Sequence, residues 1–180
     1  MKLLSWDTFW LSNTPFEPSK YPGAGSFRAC TRALFSSPQG GKFTVLNTHL
    51  DDQSDTQRKL AGSLMLHRAK YESISTKRPV FLMGDLNSES TGGNAGAYKI
   101  LTGAEKPLAI NQTFVDKYQW IKKDQPKADA FGLRDFAGLA PPERRSGDFA
   151  TYTGFRGVAD TSAYVRIDYV FGGSVDNAEW

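Results

Sequence analysis

The apolar run Pro79-Val80-Phe81-Leu82-Met83-Gly84, closed by Asp85, constrains the fold more than any other stretch of the chain. Six residues are too few for a helix, and an unbroken apolar run of that length marks a strand buried on both faces. A different period precedes it. Leu60, Leu64, His67, Tyr71 and Ile74 recur at spacings of three and four, which predicts an amphipathic helix over residues 55–74 with one face on the core. Ser54 or Asp55 is placed to cap its start, and His67, mid-helix on the apolar face, reads as a structural residue.

Upstream, residues 27–35 and 43–50 are rich in β-branched and aromatic side chains, and Ser36-Ser37-Pro38-Gln39-Gly40-Gly41 between them is turn chemistry, so the pair predicts a β-hairpin. Alternation along the second strand puts Phe43, Val45, Asn47 and His49 on one face. Residues 7–20 mix aromatics with Ser, Asn, Thr and two prolines and read as a loop. Downstream, residues 95–101 predict a short helix and 111–121 a helical or irregular segment. Residues 122–148 predict a long surface loop, and 150–155 and 164–171 two late strands. Strands alternating with helices, plus a hairpin, define an α/β protein with at least partly antiparallel sheets.

With 180 residues, 39% apolar and 13% aromatic, the chain is long enough for a real core and is expected to form one soluble, monomeric domain over residues 1–180. A formal charge of +3 helps attract a phosphate-bearing substrate but falls short of a nucleic-acid-binding tail. One cysteine, Cys30, excludes an internal disulfide and a Cys-rich zinc module and fits a small core residue. No stretch is apolar enough for a membrane span, and Ser5, Trp6 and Asp7 interrupt the opening before it resembles a signal peptide.

Three strand-end groups carry chemistry. Gly84-Asp85-Leu86-Asn87 sets an acid and an amide at i and i+2, roughly 6 to 7 Å apart on one side if the strand continues. Asp85 then holds or deprotonates a water, or helps to hold a cation, and Asn87 donates to a phosphate oxygen without adding negative charge. Asn47 and His49 make a second pair on a shared face, with His49 suited to donate to a phosphate or to protonate a leaving oxygen. Asp168, inside Arg166-Ile167-Asp168-Tyr169-Val170-Phe171, is a carboxylate in a core strand that needs a partner. That partner is either Arg166, on the same face, or a histidine that Asp168 orients.

Taken in order, Asn47-Thr48-His49, Gly84-Asp85-Leu86-Asn87 and Arg166-Ile167-Asp168-Tyr169 resemble the central and late motifs of the endonuclease/exonuclease/phosphatase superfamily. The opening Phe9-Trp10-Leu11-Ser12-Asn13-Thr14-Pro15, the strand around Arg28, and Thr151-Tyr152-Thr153-Gly154-Phe155 resemble a bacterial and fungal subgroup of it. The resemblance implies a four-layer α/β sandwich, two packed mixed or antiparallel β-sheets flanked by helices, and hydrolysis of a phosphoester by water with Mg²⁺ or Mn²⁺. It implies that His49 contacts the phosphate, Asp85 orients or activates the nucleophile and serves the metal, Asn87 stabilises developing charge, and Asp168 holds a catalytic histidine. Asn47, Arg28 and Tyr152 would contact substrate, whether nucleic acid or a small phosphorylated molecule. The chain departs from the family pattern at both ends. A strand bearing an asparagine and one ending in a metal-binding glutamate are not found before Trp6, and a Ser-Asp-His motif is not found after Asp168. The expected domain is therefore incomplete at both ends, with a catalytically impaired binding module as the alternative to an active hydrolase.

Overall fold

The computed structural model describes residues 1–173. Its strands are β1 (Lys2–Trp10), β2 (Ala29–Ser36), β3 (Lys42–His49), β4 (Val80–Asp85), β5 (Arg134–Asp135) and β6 (Asp168–Gly173). Its α-helices are α1 (Asp55–Thr76), α2 (Gly96–Thr102), α3 (Gln112–Lys117), α4 (Gln125–Ala130) and α5 (Phe136–Leu139). The strands form one mixed sheet in the order β1-β2-β3-β4-β6-β5, antiparallel throughout except for the parallel pair β3/β4. The expected α/β class holds. The described residues supply one sheet and its helices, and a second sheet of the expected sandwich is not among them.

The hairpin β2/β3 and helix α1 form where alternation and helical period place them. Ser54 caps α1, accepting from the Gln57 N–H at 3.1 Å. A parallel pair needs a crossover, and α1 is that crossover between β3 and β4. Two segments depart from expectation. Residues 7–20 do not form a continuous loop, because Asp7 to Trp10 complete β1, paired with β2 from Asp7↔Arg32 to Trp10↔Ala29. Residues 122–148 contain α4, β5 and α5, elements too short to leave a periodic trace. Of the late strands, residues 150–155 contribute only the isolated bridge Tyr152↔Val165, and the last strand starts at Asp168.

Among the described residues, one face of the sheet is packed and the other is largely open. On the packed face Phe9, Cys30, Leu46, Leu82 and Phe171 are fully or almost fully buried with Leu64 and Met65 of α1. Under the same face lies a buried ionic network. Glu72 accepts from Arg32 Nε and Nη2 at 2.9 Å each, from Arg68 Nε at 3.0 Å and from Thr44 Oγ1 at 3.1 Å, and Arg68 Nη2 reaches Asp7 at 3.0 Å. Burial pushes the Glu72 carboxyl up, but the two guanidinium groups outweigh it and hold it below its ordinary value.

The open face carries Phe43, Val45, Phe81 and Met83, all part-exposed, with Trp6 66% and Val170 44% exposed. The expectation that β4 is buried on both faces is therefore corrected. Val80 and Leu82 are buried, and Phe81 and Met83 are not. At the β5 edge this face is covered by Phe136 of α5, which sits over Gly172 and meets Phe81 edge-on at 6.0 Å.

Candidate functional site

Register, rather than sequence spacing, assembles the site. In the parallel pair His49 is the direct partner of Asp85, and in the antiparallel pair Asp85 is the direct partner of Asp168. Because directly opposed residues share a face, His49, Asp85 and Asp168 form a transverse row across three adjacent strands. The row lies at one end of the open face. Two register pairs inward on the same face lies a second row, Thr31, Asn47, Met83 and Val170. His49 Nε2 stands 3.5 Å from Asp85 Oδ2, with the imidazole well exposed and the carboxylate part-exposed.

Gly84 lets β4 reach this position. Its φ is +134°, and a Cβ there would stand 1.9 Å from the Thr48 carbonyl oxygen, so only glycine allows β3 and β4 to approach this closely. The strand ends at Asp85, and Asn87 takes a left-handed φ of +44°. The i, i+2 strand geometry expected for Asp85 and Asn87 therefore does not hold. Asp85 Oδ1 instead accepts the Asn87 backbone N–H at 2.8 Å, and Asn87 Nδ2 donates to the Leu50 carbonyl at 2.9 Å. Asn87 stitches the end of β4 to the end of β3 and so steadies Asp85 beside His49.

Asp168 is not the buried core acid expected of it but is part-exposed on the open face. Arg166 is not its partner. The Arg166 guanidinium grips Asp135 through two bonds of 2.6 and 2.9 Å, which raises the Arg166 pKa. Among the described residues the Asp168 carboxylate has no hydrogen bond or ion pair. Its backbone N–H and that of Ile167 both donate to Thr151 Oγ1 at 3.0 Å. Thr151, Asp168, Val170 and Phe136 line an open concavity of about 510 Å³ beside the row. Tyr152, next in the chain to Thr151, is 40% exposed and stacks edge-on with Phe155, which places it near this concavity but outside its lining.

Arg28, just before β2, lies at the same end of the sheet. Its guanidinium faces Asp52 at 3.2 Å and Asp51 at 3.8 Å, and its buried Nε has no hydrogen-bond partner. Asp51 is fully buried. Burial pushes its carboxyl up, but the backbone N–H groups of Ser26, Gly25, Gln53 and Ser54 outweigh that and hold it down. It thus anchors the chain leaving β3. His67 is half-buried against Phe114 and Trp120 and far from the row, so its structural reading holds. Thr151, Asp135 and Gly84 also form the site without a role assigned to them from the motifs; Gly84 and Thr151 lie inside those motifs, and Asp135 lies in none.

A magnesium ion keeps several waters and needs only one or two carboxylates from protein. Among the described residues no three His, Cys, Asp or Glu side chains converge into a ready-made cage. Asp85 and Asp168 are nonetheless direct register partners on adjacent strands, so both carboxylates belong to one sheet face. The donor chemistry fits a hydrated Mg²⁺ or Mn²⁺ on that pair.

Comparison with solved structures identifies the fold. The chain matches an endonuclease/exonuclease/phosphatase from Bacteroides vulgatus with a TM-score of 0.68, at 22% identity over 95% of this chain and 54% of that one. It matches the mannosyl-6-phosphatase Bt3783 of Bacteroides thetaiotaomicron with a TM-score of 0.64, at 24% identity over 95% of this chain and 52% of that one. It also matches D. rerio TDP2, complexed with a single-strand DNA product, with a TM-score of 0.57, at 16% identity over 99% of this chain and 56% of that one. This chain therefore has the endonuclease/exonuclease/phosphatase fold. It spans about half the length of these structures. A scan against protein-family models gives no match, and a search of curated proteins gives none. No described helix is long and apolar enough to cross a membrane.

Proposed function

We propose that the row of His49, Asp85 and Asp168 is a phosphoester-hydrolysing site in which water is the nucleophile. The observation that carries this reading is the direct pairing of all three residues on one open sheet face. A phosphoryl group seated on that face meets the exposed imidazole of His49, which donates to a phosphate oxygen or protonates the leaving oxygen. Asp85, held by the Asn87 N–H and steadied beside His49, orients the attacking water and accepts its proton. The second amide hydrogen of Asn87 is left to donate to an equatorial oxygen as charge develops. Asn47, two residues inward from His49 on the same face, and Tyr152, near the Asp168 concavity, fit contacts to the ester group. Arg28 acts at the rim, where Asp51 and Asp52 position it.

Asp85 and Asp168 would hold the divalent cation, which when bound supplies charge neutralisation for the transferring phosphoryl group. The named activities of two structures that share the fold, a mannosyl-6-phosphatase and a TDP2 with a DNA product, support a phosphorylated substrate and do not choose between a small molecule and nucleic acid. A second reading, phosphate binding without turnover, is favoured by Asp168, whose carboxylate lacks a histidine partner among the described residues.

Turnover of bis(p-nitrophenyl) phosphate with added Mg²⁺ separates the two readings. Hydrolysis that Asp85→Ala reduces by about 100-fold or more supports the enzyme. Phosphate binding that His49→Ala abolishes, with no turnover in the wild type, supports the binding module. Turnover unchanged in Asp85→Ala would contradict both assignments.

A further inference from the structure

Helix α1 is 22 residues long, so its C-terminal end stands about 30 Å from its start beside Asp51. At that far end a concavity of about 900 Å³ opens between the last turns of α1 and residues 119–127. Lys77, Lys122, Lys123 and Lys127 line it together with Trp120, and the one acid in the described lining is Asp124. Lys127 neutralises that acid at 3.2 Å. Lys77, Lys122 and Lys123 make no ion pair among the described residues and are exposed. Three uncompensated cations around one hollow repel one another, and an anion relieves that repulsion.

Trp120 gives the hollow a flat, oriented wall. Its indole N–H donates to Gln125 Oε1 at 3.0 Å, and its ring rests on His67 at a centroid distance of 5.1 Å. The ring is thus held by two neighbours and is half-buried rather than protruding. A recessed aromatic platform ringed by cations matches a ligand that repeats a flat base and a phosphate. A membrane surface would instead call for several apolar side chains standing out from a convex face, and here only Ile121 does so.

We propose that this hollow binds single-stranded nucleic acid, with a base stacked on Trp120 and backbone phosphates held by Lys77, Lys122 and Lys123. The site is separate from the His49 row and does not depend on the hydrolytic reading. It would hold a strand by stacking and charge, with little base selectivity and a strong salt dependence.

The test is fluorescence anisotropy of labelled oligothymidylate, about twelve nucleotides long, with the full chain at low salt. We expect saturable binding. Lys122→Glu with Lys123→Glu weakens it by about tenfold or more, and Trp120→Leu by about fivefold or more. Lys106→Glu, the same change of charge at an exposed lysine outside the hollow, leaves it within about twofold. If Trp120→Leu does not fold, protection of Lys122 and Lys123 from acetylation by the same oligonucleotide in the wild type decides the question. Absent binding, an equal loss in Lys106→Glu, or a Lys-dependent affinity indifferent to Trp120 would each overturn the proposal. So would binding to phosphatidylserine vesicles with none to the oligonucleotide.

Discussion

His49 Nε2 and Asp85 Oδ2 lie 3.5 Å apart because β3 and β4 run parallel and in register to their last residues. That closeness depends on Gly84, whose added Cβ would fall 1.9 Å from the Thr48 carbonyl oxygen. Gly84→Ala must therefore separate the two strands or leave the +134° backbone conformation. The expected cost is about 4 kcal/mol or more, read by urea denaturation. An unchanged midpoint would show that the strands do not approach as described.

The Glu72 network makes a sharper stability prediction. Removing its charge in Glu72→Gln leaves Arg32 and Arg68 buried against a neutral amide. Breaking a buried pair from one side costs about 3 to 5 kcal/mol. Replacing Glu72, Arg32 and Arg68 together by Met, Leu and Leu, with Asp7→Asn to remove the charge that Arg68 meets, should cost far less than Glu72→Gln alone, because no unpaired charge remains. Equal losses in the two proteins would count against the network.

Acid sensitivity follows from two opposite environments. His67 is half-buried and has its pKa pushed down from 6.5 by desolvation, so the unfolded chain takes up its proton first. The stability it contributes is complete above pH 6.5 and falls as the pH drops below that value toward the lower folded pKa. Asp51 and Glu72, held below 3.8 and 4.5, add stability that is present above those values and lost as the pH falls through their folded pKa values. Thermal melts should therefore decline in two stages. His67→Phe should remove the first stage and leave the second. A His67→Phe protein with an unaltered profile would contradict the assignment.

The open sheet face has a measurable consequence in solution. Trp6 and Val170 stand well exposed and Phe43 and Val45 part-exposed on this face, apolar surface of the kind that drives association. Trp6→Ser with Val170→Thr should lower the binding of a hydrophobic fluorescent dye and raise the concentration at which the chain stays dispersed. No change in either would mean that this face is covered in solution.

How far these features were legible in the sequence depends on whether they are local. Helix α1 and the β2/β3 hairpin leave periodic patterns of their own; Asn47-His49 sits on the second strand of that hairpin, and Asp85-Asn87 follows the apolar run of β4. What the patterns do not contain is partnership. An apolar run such as Val80 to Met83 reads the same whether both faces are covered or only one. Asp135 takes Arg166 away from Asp168 across 31 residues, a choice that no local spacing announces. Asn87 leaves the strand because its amide is drawn to Leu50, and strand geometry alone placed it elsewhere. The row of His49, Asp85 and Asp168 is the reverse case. Three motifs ordered along the chain become one site only through register.

The most direct test of that row is a double-mutant cycle on kcat/KM for phosphodiester hydrolysis, with His49→Ala, Asp85→Ala and the pair, each checked for folding. If the two side chains act on one phosphoryl group as a unit, the double variant is little worse than the poorer single variant, with an interaction term of about 1 kcal/mol or more. Losses that simply multiply, or a His49→Ala enzyme as active as the wild type, would contradict the account.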